Sequence, residues 1–473
     1  MLDLAAGAMR HTRHGWWLEE AGPVEPFAPL SADISADVVV IGGGYAGLWT
    51  AWQVLQRAPQ ATVAVLEADV CGHGPSGRNG GFCQTLWGDL PALCERLGDA
   101  GALALCRASS ASVEAIGDWC REEGVDAWFH RAGTLIASAA PAQDEVGRDA
   151  VAQAQRLGEA ERLRALAPSE VAARCASPVL RGGVLVADDA TVQPARLALG
   201  LRRRVAERGA LVFEGSRVRR LRVEGPRSVV AETAGGRVRA TAAVLAVNAA
   251  ARGVRPLRAR LSVTSSHIVL TEPVPDVLED VGWTGGEAIT DGRTFVHYTR
   301  TTPDGRIAFG WGGGQLAWGA RLGGRVEVDR HVAAQTREHL LRTFPALAGR
   351  RVTHAWGGPI DVSPGHLPQI GSLPDGPVHY AFGFTGNGVG PCHLAGRVLA
   401  SLALDARDAD SRLPLVDRDA LRVPPEPLAW AAGTLVRAAW LRKERLEEEG
   451  RRPDLATRVI CAAPRAVGLH LAR

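Results

Sequence analysis

The stretch DVVVIGGGYAGLWTAWQVLQRA, residues 37–58, decides the fold of this 473-residue chain. It opens with a β-branched run, which is typical of a strand buried in a parallel sheet. Three glycines follow in the spacing GxGxxG, namely Gly42, Gly44 and Gly47, and apolar residues then recur with helical spacing. A second apolar run, TVAVLE, ends at Glu67. This order of strand, glycine turn, helix, strand and acid predicts an α/β fold of the Rossmann type.

The glycine turn predicts a dinucleotide site. Its first glycine allows a tight turn, the second lets the main chain approach a pyrophosphate, and the third lets helix and strand pack closely. The helix begins near Tyr45 and Ala46, where unpaired N–H groups suit phosphate oxygens. Glu67 is expected to accept hydrogen bonds from the ribose hydroxyls. Enzymes that bind FAD and enzymes that bind NAD share this motif, so it does not choose between the two cofactors.

The loop GHGPSGRNGGF, residues 72–82, favours FAD. It follows Glu67 closely, where a chain leaving the second strand runs along the bound cofactor. NAD ends its contact with the protein before this point, whereas the diphosphate, ribityl chain and rings of a flavin extend past it. Gly80 and Gly81 let main-chain N–H groups reach the ring edge. Arg78 can offset negative charge on the pyrophosphate or on the reduced flavin.

The run Ser76-Gly77-Arg78-Asn79-Gly80-Gly81 resembles a signature of the FAD-dependent D-amino acid oxidase/glycine oxidase superfamily, in its γ-glutamylputrescine oxidoreductase-like branch. The pair Trp16-Trp17, ahead of the first strand, is similar too. The resemblance extends over about residues 15–405. It implies a Rossmann-like FAD-binding domain of the glutathione-reductase type, with an inserted α+β substrate domain built on an antiparallel sheet.

The same resemblance implies that the FAD-binding domain is discontinuous. We expect the FAD-binding domain at 30–87, 188–254 and 351–405, the substrate domain at 88–187 and 255–350, and a helical tail at 406–473. The first insertion is Ala-rich, which predicts helices. The second alternates like antiparallel strands on either side of the turn Pro303-Asp304-Gly305. The tail is expected to be a packed or oligomer-contact helix, with a membrane-surface helix as the alternative.

Later segments of such proteins also reach the cofactor. A strand near Val218 is expected to border the adenine pocket, and Asn248 ends a strand that approaches FAD. A glycine-rich turn then precedes a helix, whose N-terminal N–H groups and dipole stabilise negative charge on the reduced ring. The resemblance assigns this last role to Gly386, Asn387, Gly388 and Val389.

The segment WGGPIDVSPGHLPQIG, residues 356–371, resembles the family's approach to the flavin face, with one departure. Many relatives carry an acid where this chain has Gly365, so no carboxylate role is assigned at that position. The segment contains no cysteine, and no histidine lies within the run from Ser76 to Gly81. We therefore expect non-covalent FAD, with His73 leaving a covalent link open.

The candidates for substrate contact and catalysis are Tyr298, Arg300, His267 and His366. Tyr298 and Arg300 lie two residues apart, so both face the same side of a strand. Relatives place a carboxylate-binding arginine on a comparable strand, and arginine suits paired hydrogen bonds to a carboxylate. The alternative for Arg300 is a surface salt bridge, and the alternative for the histidines is a structural role.

The resemblance implies an FAD-dependent oxidase or dehydrogenase that acts on an amine or amino acid. Such an enzyme holds the neutral amine with its α C–H over flavin N5, and hydride transfer gives an imine that water hydrolyses. Electrons then pass to O2, which forms H2O2, or to another acceptor. The sequence shows no second strand–GxGxxG–helix unit for NAD(P)H, so the substrate is expected to supply the electrons. Two alternatives stay open: a biosynthetic tailoring oxidase of an unusual or carrier-bound amine, and a partner-dependent flavoprotein subunit.

Composition excludes several other classes of protein. The 54 basic and 51 acidic residues nearly balance, which gives no indication of a nucleic-acid partner. The eight cysteines form no CxxC or zinc spacing, so no metal site is expected and the thiols indicate a reducing, cytoplasmic environment. No apolar run reaches the length of about 18 residues that spans a bilayer, so membrane association is not expected.

Overall fold

The computed structural model describes residues 9–418 and 421–466. Within these residues the strands, numbered along the chain, are β1 (Arg10–His11), β2 (Ile34–Ile41), β3 (Val63–Leu66), β4 (Phe82–Cys83), β5 (Thr134–Ala137), β6 (Leu163–Leu166), β7 (Gly183–Val186), β8 (Ala190–Thr191), β9 (Leu211–Phe213), β10 (Arg220–Gly225), β11 (Ser228–Glu232), β12 (Arg237–Leu245), β13 (Ser262–Thr271), β14 (Ala288–Asp291), β15 (His297–Thr301), β16 (Ile307–Trp311), β17 (Val352–Val362), β18 (Gln369–Ser372) and β19 (Val378–Phe382).

The α-helices in the same part of the chain are α1 (Trp16–Ala21), α2 (Tyr45–Arg57), α3 (Leu90–Glu122), α4 (Arg148–Arg156), α5 (Pro168–Ala172), α6 (Pro194–Glu207), α7 (Pro275–Asp280), α8 (Arg330–Thr343), α9 (Val389–Ala403), α10 (Leu428–Glu448) and α11 (Leu455–Ala466). None of the described helices is both long enough and apolar enough to cross a bilayer. A cytoplasmic location and a membrane-surface role for the tail both stay predictions.

The first sheet carries the glycine motif. Its strands run in the order β10-β11-β12-β2-β3-β9, and β19 adds to β12 with β18 beside it. β2 pairs in parallel with β3 and with β12, while β12 also pairs in parallel with β19. Helix α2 connects β2 to β3 and packs closely against α9. The predicted Rossmann-like α/β fold is confirmed by this arrangement.

The second sheet is mixed and mainly antiparallel. Its nine strands run in the order β1-β17-β13-β16-β15-β14-β5-β7-β6. The two insertions meet inside it, because β14 of the second insertion pairs with β5 of the first. The turn at Pro303-Asp304-Gly305 joins β15 to β16 as predicted, with Gly305 at φ +79°. That this sheet forms the substrate domain stays a prediction.

Three details of the sequence-based description need correction. The first insertion holds the short strands β5, β6 and β7 as well as helices. They were not predicted because strands of only four residues carry no clear period. β17, which we placed with the FAD-binding domain at 351–405, pairs along its length with β13 in the second sheet. Val218 lies in the coil before β10 rather than within a strand.

The glycine turn is packed so closely that side chains are excluded from it. A Cβ atom on Gly47 would lie 1.9 Å from the carbonyl oxygen of Gly42. Gly42 itself has φ +110°, and a Cβ there would lie 2.3 Å from the carbonyl oxygen of Ala246 at the end of β12. The first contact brings α2 against its own strand, and the second brings the turn against the neighbouring strand.

We predict that Gly47→Ala destabilises the protein by about 1–3 kcal/mol or more, because the methyl group meets main chain that has no room to move. The measurement is thermal unfolding together with flavin absorbance per polypeptide, and both should fall. Gly253→Ala is the matched control, since a Cβ at Gly253 meets nothing within 4 Å. Equal unfolding temperatures and FAD contents for the two variants would contradict the packing argument.

Candidate flavin and substrate site

A cavity of about 520 Å³ lies where the loops of the first sheet meet the second sheet. This volume falls in the usual range for small-molecule sites. The cavity is bordered by the loop 72–82, by the turn that precedes α9 and by residues of β13, β15 and β17. Elements that were assigned to the cofactor therefore share one space with elements that were assigned to the substrate.

Most of the predicted site residues meet at this cavity. Those lining it are Tyr45, Ser76, Arg78, Asn79, Gly80, Asn248, Tyr298, His366, Gly386, Gly388 and Val389. Those outside its lining are Gly42, Gly44, Ala46, Gly47, Glu67, Gly81, Val218, His267, Arg300 and Asn387. Which of these residues touch FAD stays a prediction.

Hydrogen bonds within the loop 72–82 fix its shape. The Tyr45 N–H, in the first turn of α2, donates to Ser76 Oγ at 2.9 Å. Asn79 Nδ2 donates to the carbonyl oxygens of Pro75 and Ser76, and its Oδ1 accepts from the Gly81 N–H at 2.7 Å. Ser76 and Asn79 therefore act as braces that tie the loop to itself and to α2.

Arg78 is buried at the cavity wall. Its Nη1 donates to the carbonyl oxygen of Arg13 at 3.0 Å, and its Nε donates to that of Gly74 at 3.3 Å. Trp356 Nε1 in turn donates to the Arg78 carbonyl oxygen at 2.8 Å. Desolvation lowers the pKa of Arg78, which still leaves a guanidinium charge beside the cavity at neutral pH.

Glu67 is hydrogen-bonded to the main chain of the glycine turn. Its Oε2 accepts from the Gly43 N–H at 2.6 Å, and its Oε1 accepts from the Asp69 N–H at 2.9 Å. Each carboxylate oxygen has a further lone pair, so these bonds are compatible with the expected contact to ribose hydroxyls.

The residues present fit FAD. The turn from Gly42 to Gly47 offers a bare main chain, and a Cβ on Gly44 would already lie 2.9 Å from Ser76 Oγ. In the turn before α9, Asn387 Oδ1 is buried and has no hydrogen-bond partner among the described residues. Such an orphaned acceptor is rare in folded proteins and indicates a missing donor.

Tyr298 forms one wall of the cavity. Its hydroxyl hydrogen-bonds Ser266 Oγ at 2.7 Å, and Ser266 in turn donates to the carbonyl oxygen of Trp311 at 2.9 Å. The Tyr298 ring meets Phe82 edge to face, with centroids 5.7 Å apart. Burial raises the pKa of Tyr298 to about 12, so the phenol stays protonated.

The structure places Arg300 away from the cavity, contrary to the predicted carboxylate contact. Its Nη1 donates to the carbonyl oxygens of Gly81 and Val192, and its Nε donates to that of Thr301. The two-residue spacing gave the correct face of β15, but main-chain carbonyl groups already occupy the space in front of it. Arg300 is a buried side chain that braces loop 72–82 from behind.

The two candidate histidines differ. His267 is buried outside the cavity lining, and its Nε2 accepts a hydrogen bond from the Asp329 N–H at 3.2 Å. This contact fits the structural role that was the alternative to catalysis. Burial lowers the pKa of His267 to about 4, so it is neutral at pH 7. His366 lines the cavity at φ +55°, in the segment between β17 and β18.

A carboxylate that the sequence analysis passed over lines the cavity. Asp361, near the end of β17, is 2% exposed, and its Oδ2 accepts from the Gly383 N–H at 2.5 Å. The Asn248 side chain and the Phe384 N–H are further hydrogen-bond donors to it. Despite these donors, burial raises the pKa of Asp361 to about 7. The available signal was an acid between Ile360 and Val362 in the apolar second half of β17.

Helix α10 of the tail also borders the cavity, which the sequence analysis did not predict. Its contributions include Trp430, Gly433, Arg437 and Trp440. These positions are spaced by three or four residues and lie on one face of the helix. Because that face contains a glycine and an arginine, it does not stand out as an apolar stripe.

The family model described as FAD dependent oxidoreductase matches residues 37–402. The chain belongs to this FAD-dependent oxidoreductase family. It is an FAD enzyme, as predicted. The matched residues include β2, the glycine turn, both insertions and α9, whereas α10 and α11 lie beyond them.

Two curated proteins align with most of this chain. A probable oxidoreductase OrdL from Rhizobium meliloti is 28% identical over 439 residues, which is 90% of this chain and 94% of that protein. The γ-glutamylputrescine oxidoreductase of Escherichia coli is 29% identical over 405 residues, covering 84% of this chain and 91% of its own.

Solved structures of this FAD-dependent oxidoreductase family have the same fold. Glycine oxidase from Geobacillus kaustophilus superposes with a TM-score of 0.66 at 21% identity, covering 81% of this chain and 99% of its own. L-proline dehydrogenase from P. horikoshii also gives a TM-score of 0.66, at 18% identity, with 82% and 96% covered.

We predict that Asp361→Asn removes a pH dependence of stability in the FAD-free protein. The folded-state pKa of Asp361, about 7, exceeds the unfolded value of about 3.9. Its contribution to stability is therefore complete below about pH 4 and is lost as the pH rises through 7. The variant's unfolding temperature, relative to wild type, should rise between about pH 5 and about pH 8. A difference that stays constant with pH would show that Asp361 ionises normally.

We predict that Arg300→Met lowers stability and FAD content, because the buried Val192 carbonyl oxygen loses its donor at a cost of about 1–3 kcal/mol, whereas Gly81 keeps the Val192 N–H as a donor. Thermal unfolding and flavin absorbance are the measurements. Arg203→Met is the control, since the exposed pair of Arg203 with Glu207 contributes little. A stable, FAD-loaded variant with a raised KM only for carboxylate-bearing amines would instead restore the substrate role.

Proposed function

We propose that this enzyme oxidises the C–N bond of a small amine or amino acid to an imine, which water then hydrolyses. The observation that carries the proposal is the shared cavity. Loop 72–82 and the turn before α9, both expected at the flavin, border the same space as Ser266 and Tyr298 of the second sheet. A molecule held against those side chains has its C–H bonds next to the expected position of the cofactor.

The relatives support the amine class of substrate. The Escherichia coli relative is named for γ-glutamylputrescine, and the structural neighbours include enzymes named for glycine and L-proline. All three compounds contain an amine nitrogen beside a C–H bond. When bound, FAD supplies a two-electron acceptor that takes a hydride from such a carbon.

The chain's own side chains orient the substrate and exclude water. The Tyr298 hydroxyl is fixed by Ser266, and its ring is fixed by Phe82, so the wall they form is rigid. Trp356 continues this wall towards loop 72–82 and is held there by its hydrogen bond to the Arg78 carbonyl oxygen. Rigid aromatic walls limit the poses of a small amine and keep bulk water from the reacting carbon.

Asp361 is the acid–base group that the cavity supplies. Because the pKa of Asp361 is raised to about 7, its Oδ atoms can hold or release a proton near neutral pH. The proposal uses this carboxylate to take up the proton that an ammonium substrate must lose before oxidation. Asp361 also braces the turn before α9, because it accepts a hydrogen bond from the Gly383 N–H. One residue would thus serve both as the proton acceptor and as a structural support.

We predict that one class of amine bleaches the oxidised flavin of the purified protein under anaerobic conditions. The panel contains primary amines, secondary amines and both enantiomers of several amino acids, and absorption spectra report flavin reduction. Readmitting O2 then tests the acceptor: rapid recovery of the spectrum with H2O2 indicates an oxidase, and slow recovery indicates another acceptor. Bound flavin that no amine reduces would contradict the proposed function.

A further inference from the structure

Helix α10 is fixed over the cavity along its whole length. At its N-terminal end the Trp430 ring meets Trp318 edge to face, with centroids 5.3 Å apart. At its C-terminal end Glu444 Oε1 accepts from the Thr294 N–H at 2.7 Å and from the Phe295 N–H at 3.3 Å. Contacts at both ends thus hold α10 in place as part of the cavity wall.

The middle of α10 brings an arginine to the cavity. Arg437 lines the space, and its Nε and Nη2 donate to the carbonyl oxygens of Gly314 and Gly313 at 2.7 and 2.5 Å. The approach is close at this level, because a Cβ on Gly433 would lie 2.5 Å from Leu316 Cδ2. These contacts hold the guanidinium plane in one orientation and leave Nη1 without a protein acceptor among the described residues.

Arg437 differs from the other arginines that line the cavity. Arg293 pairs with Asp291 at 2.9 Å and with Glu448 at 2.8 Å. Arg252 lies 3.5 Å from Glu426. Arg78 belongs to loop 72–82, which is expected at the cofactor. Arg437 is bonded to neutral carbonyl groups, and within 9–418 and 421–466 no carboxylate forms an ion pair with it.

A half-buried guanidinium without an ion-pair partner is costly, because its attraction to water is partly lost. For Arg437 this desolvation outweighs the favourable charge of Asp329, which is itself paired with Arg325, so the pKa of Arg437 is lowered. An anionic group brought by a ligand would supply the missing ion-pair partner. The guanidinium has five N–H donors in one plane and suits a carboxylate.

We propose that Arg437 binds a carboxylate of the substrate, so that the tail helix selects amino acids over simple amines. The inference rests on the proposed function, since it names the substrate class of the same cavity. The amine end of the substrate lies towards loop 72–82, and the carboxylate end lies towards α10. The role that the sequence suggested for Arg300 on β15 thus falls to a residue outside the matched family region.

The test compares matched pairs of compounds on the FAD-loaded enzyme. Alanine, γ-aminobutyrate, δ-aminovalerate and ε-aminocaproate are each paired with the alkylamine that lacks the carboxyl group. The measured quantity is the ratio of anaerobic flavin-bleaching efficiencies within each pair. A loosened fold changes both members of a pair alike, whereas loss of a charge contact changes the ratio.

Wild type should favour the acid in at least one pair, and Arg437→Gln should lower that ratio about 10- to 100-fold. Arg437→Lys should keep part of the preference, because it keeps the charge but not the planar fork. Arg442→Gln is the control, since exposed Arg442 lies on the same helix and pairs with Asp454. An unchanged ratio in Arg437→Gln, or a wild-type preference for the uncharged amine, overturns the proposal.

A second measurement separates this proposal from the proposed function. Valerate and caproate carry a carboxylate but no amine, and their binding is followed through shifts in the flavin absorption bands. Binding to wild type that weakens about 10- to 100-fold in Arg437→Gln supports the anion site even if no amine bleaches the flavin. Equal binding to both proteins, or no binding to wild type, overturns the anion site even if an amine is oxidised.

Discussion

The site depends on one close contact between main chains, where Gly47 of α2 passes the carbonyl oxygen of Gly42. Because no side chain separates them, α2 begins directly against β2, and the Tyr45 N–H at its start reaches Ser76 Oγ. Through that hydrogen bond the glycine turn sets the position of loop 72–82. A similar contact recurs behind it, since a Cβ on Gly396 of α9 would lie 2.5 Å from Trp49 Cβ. Helices α2 and α9 are therefore both positioned by glycines that allow a close approach.

Local patterns predicted the elements that are expected to hold FAD. The unit β2-α2-β3 and the turn before α9 have short-range signals, because period and glycine spacing follow from the local backbone alone. The sheet to which β17 belongs had no such signal. Its partner β13 is distant in sequence, and pairing between distant strands is decided by the whole fold. The short strands β5 to β7 were missed because four residues are too few to show a clear period.

The substrate side of the site was less predictable than the cofactor side. Alternation on β15 correctly showed that Tyr298 and Arg300 share a face, but it could not show that carbonyl oxygens of Gly81 and Val192 fill the space before Arg300. The contribution of Arg437 was hidden because a polar residue on an inward face reads as a solvent-facing one. Its environment depends on Gly313 and Gly314, more than a hundred residues earlier.

The interleaved strand order of the first sheet has a consequence for how the chain matures. Ile34 of β2 pairs with Val238 of β12, and Leu245 of β12 pairs with Tyr380 of β19. On the ribosome β2 can pair early with β3, but its other neighbour β12 begins about 200 residues after β2, and the turn before α9 comes later still. Such long-range closure is slow and leaves strand edges open in the meantime. The cavity, which these segments and the later helix α10 border together, is therefore complete only once most of the chain has been synthesised.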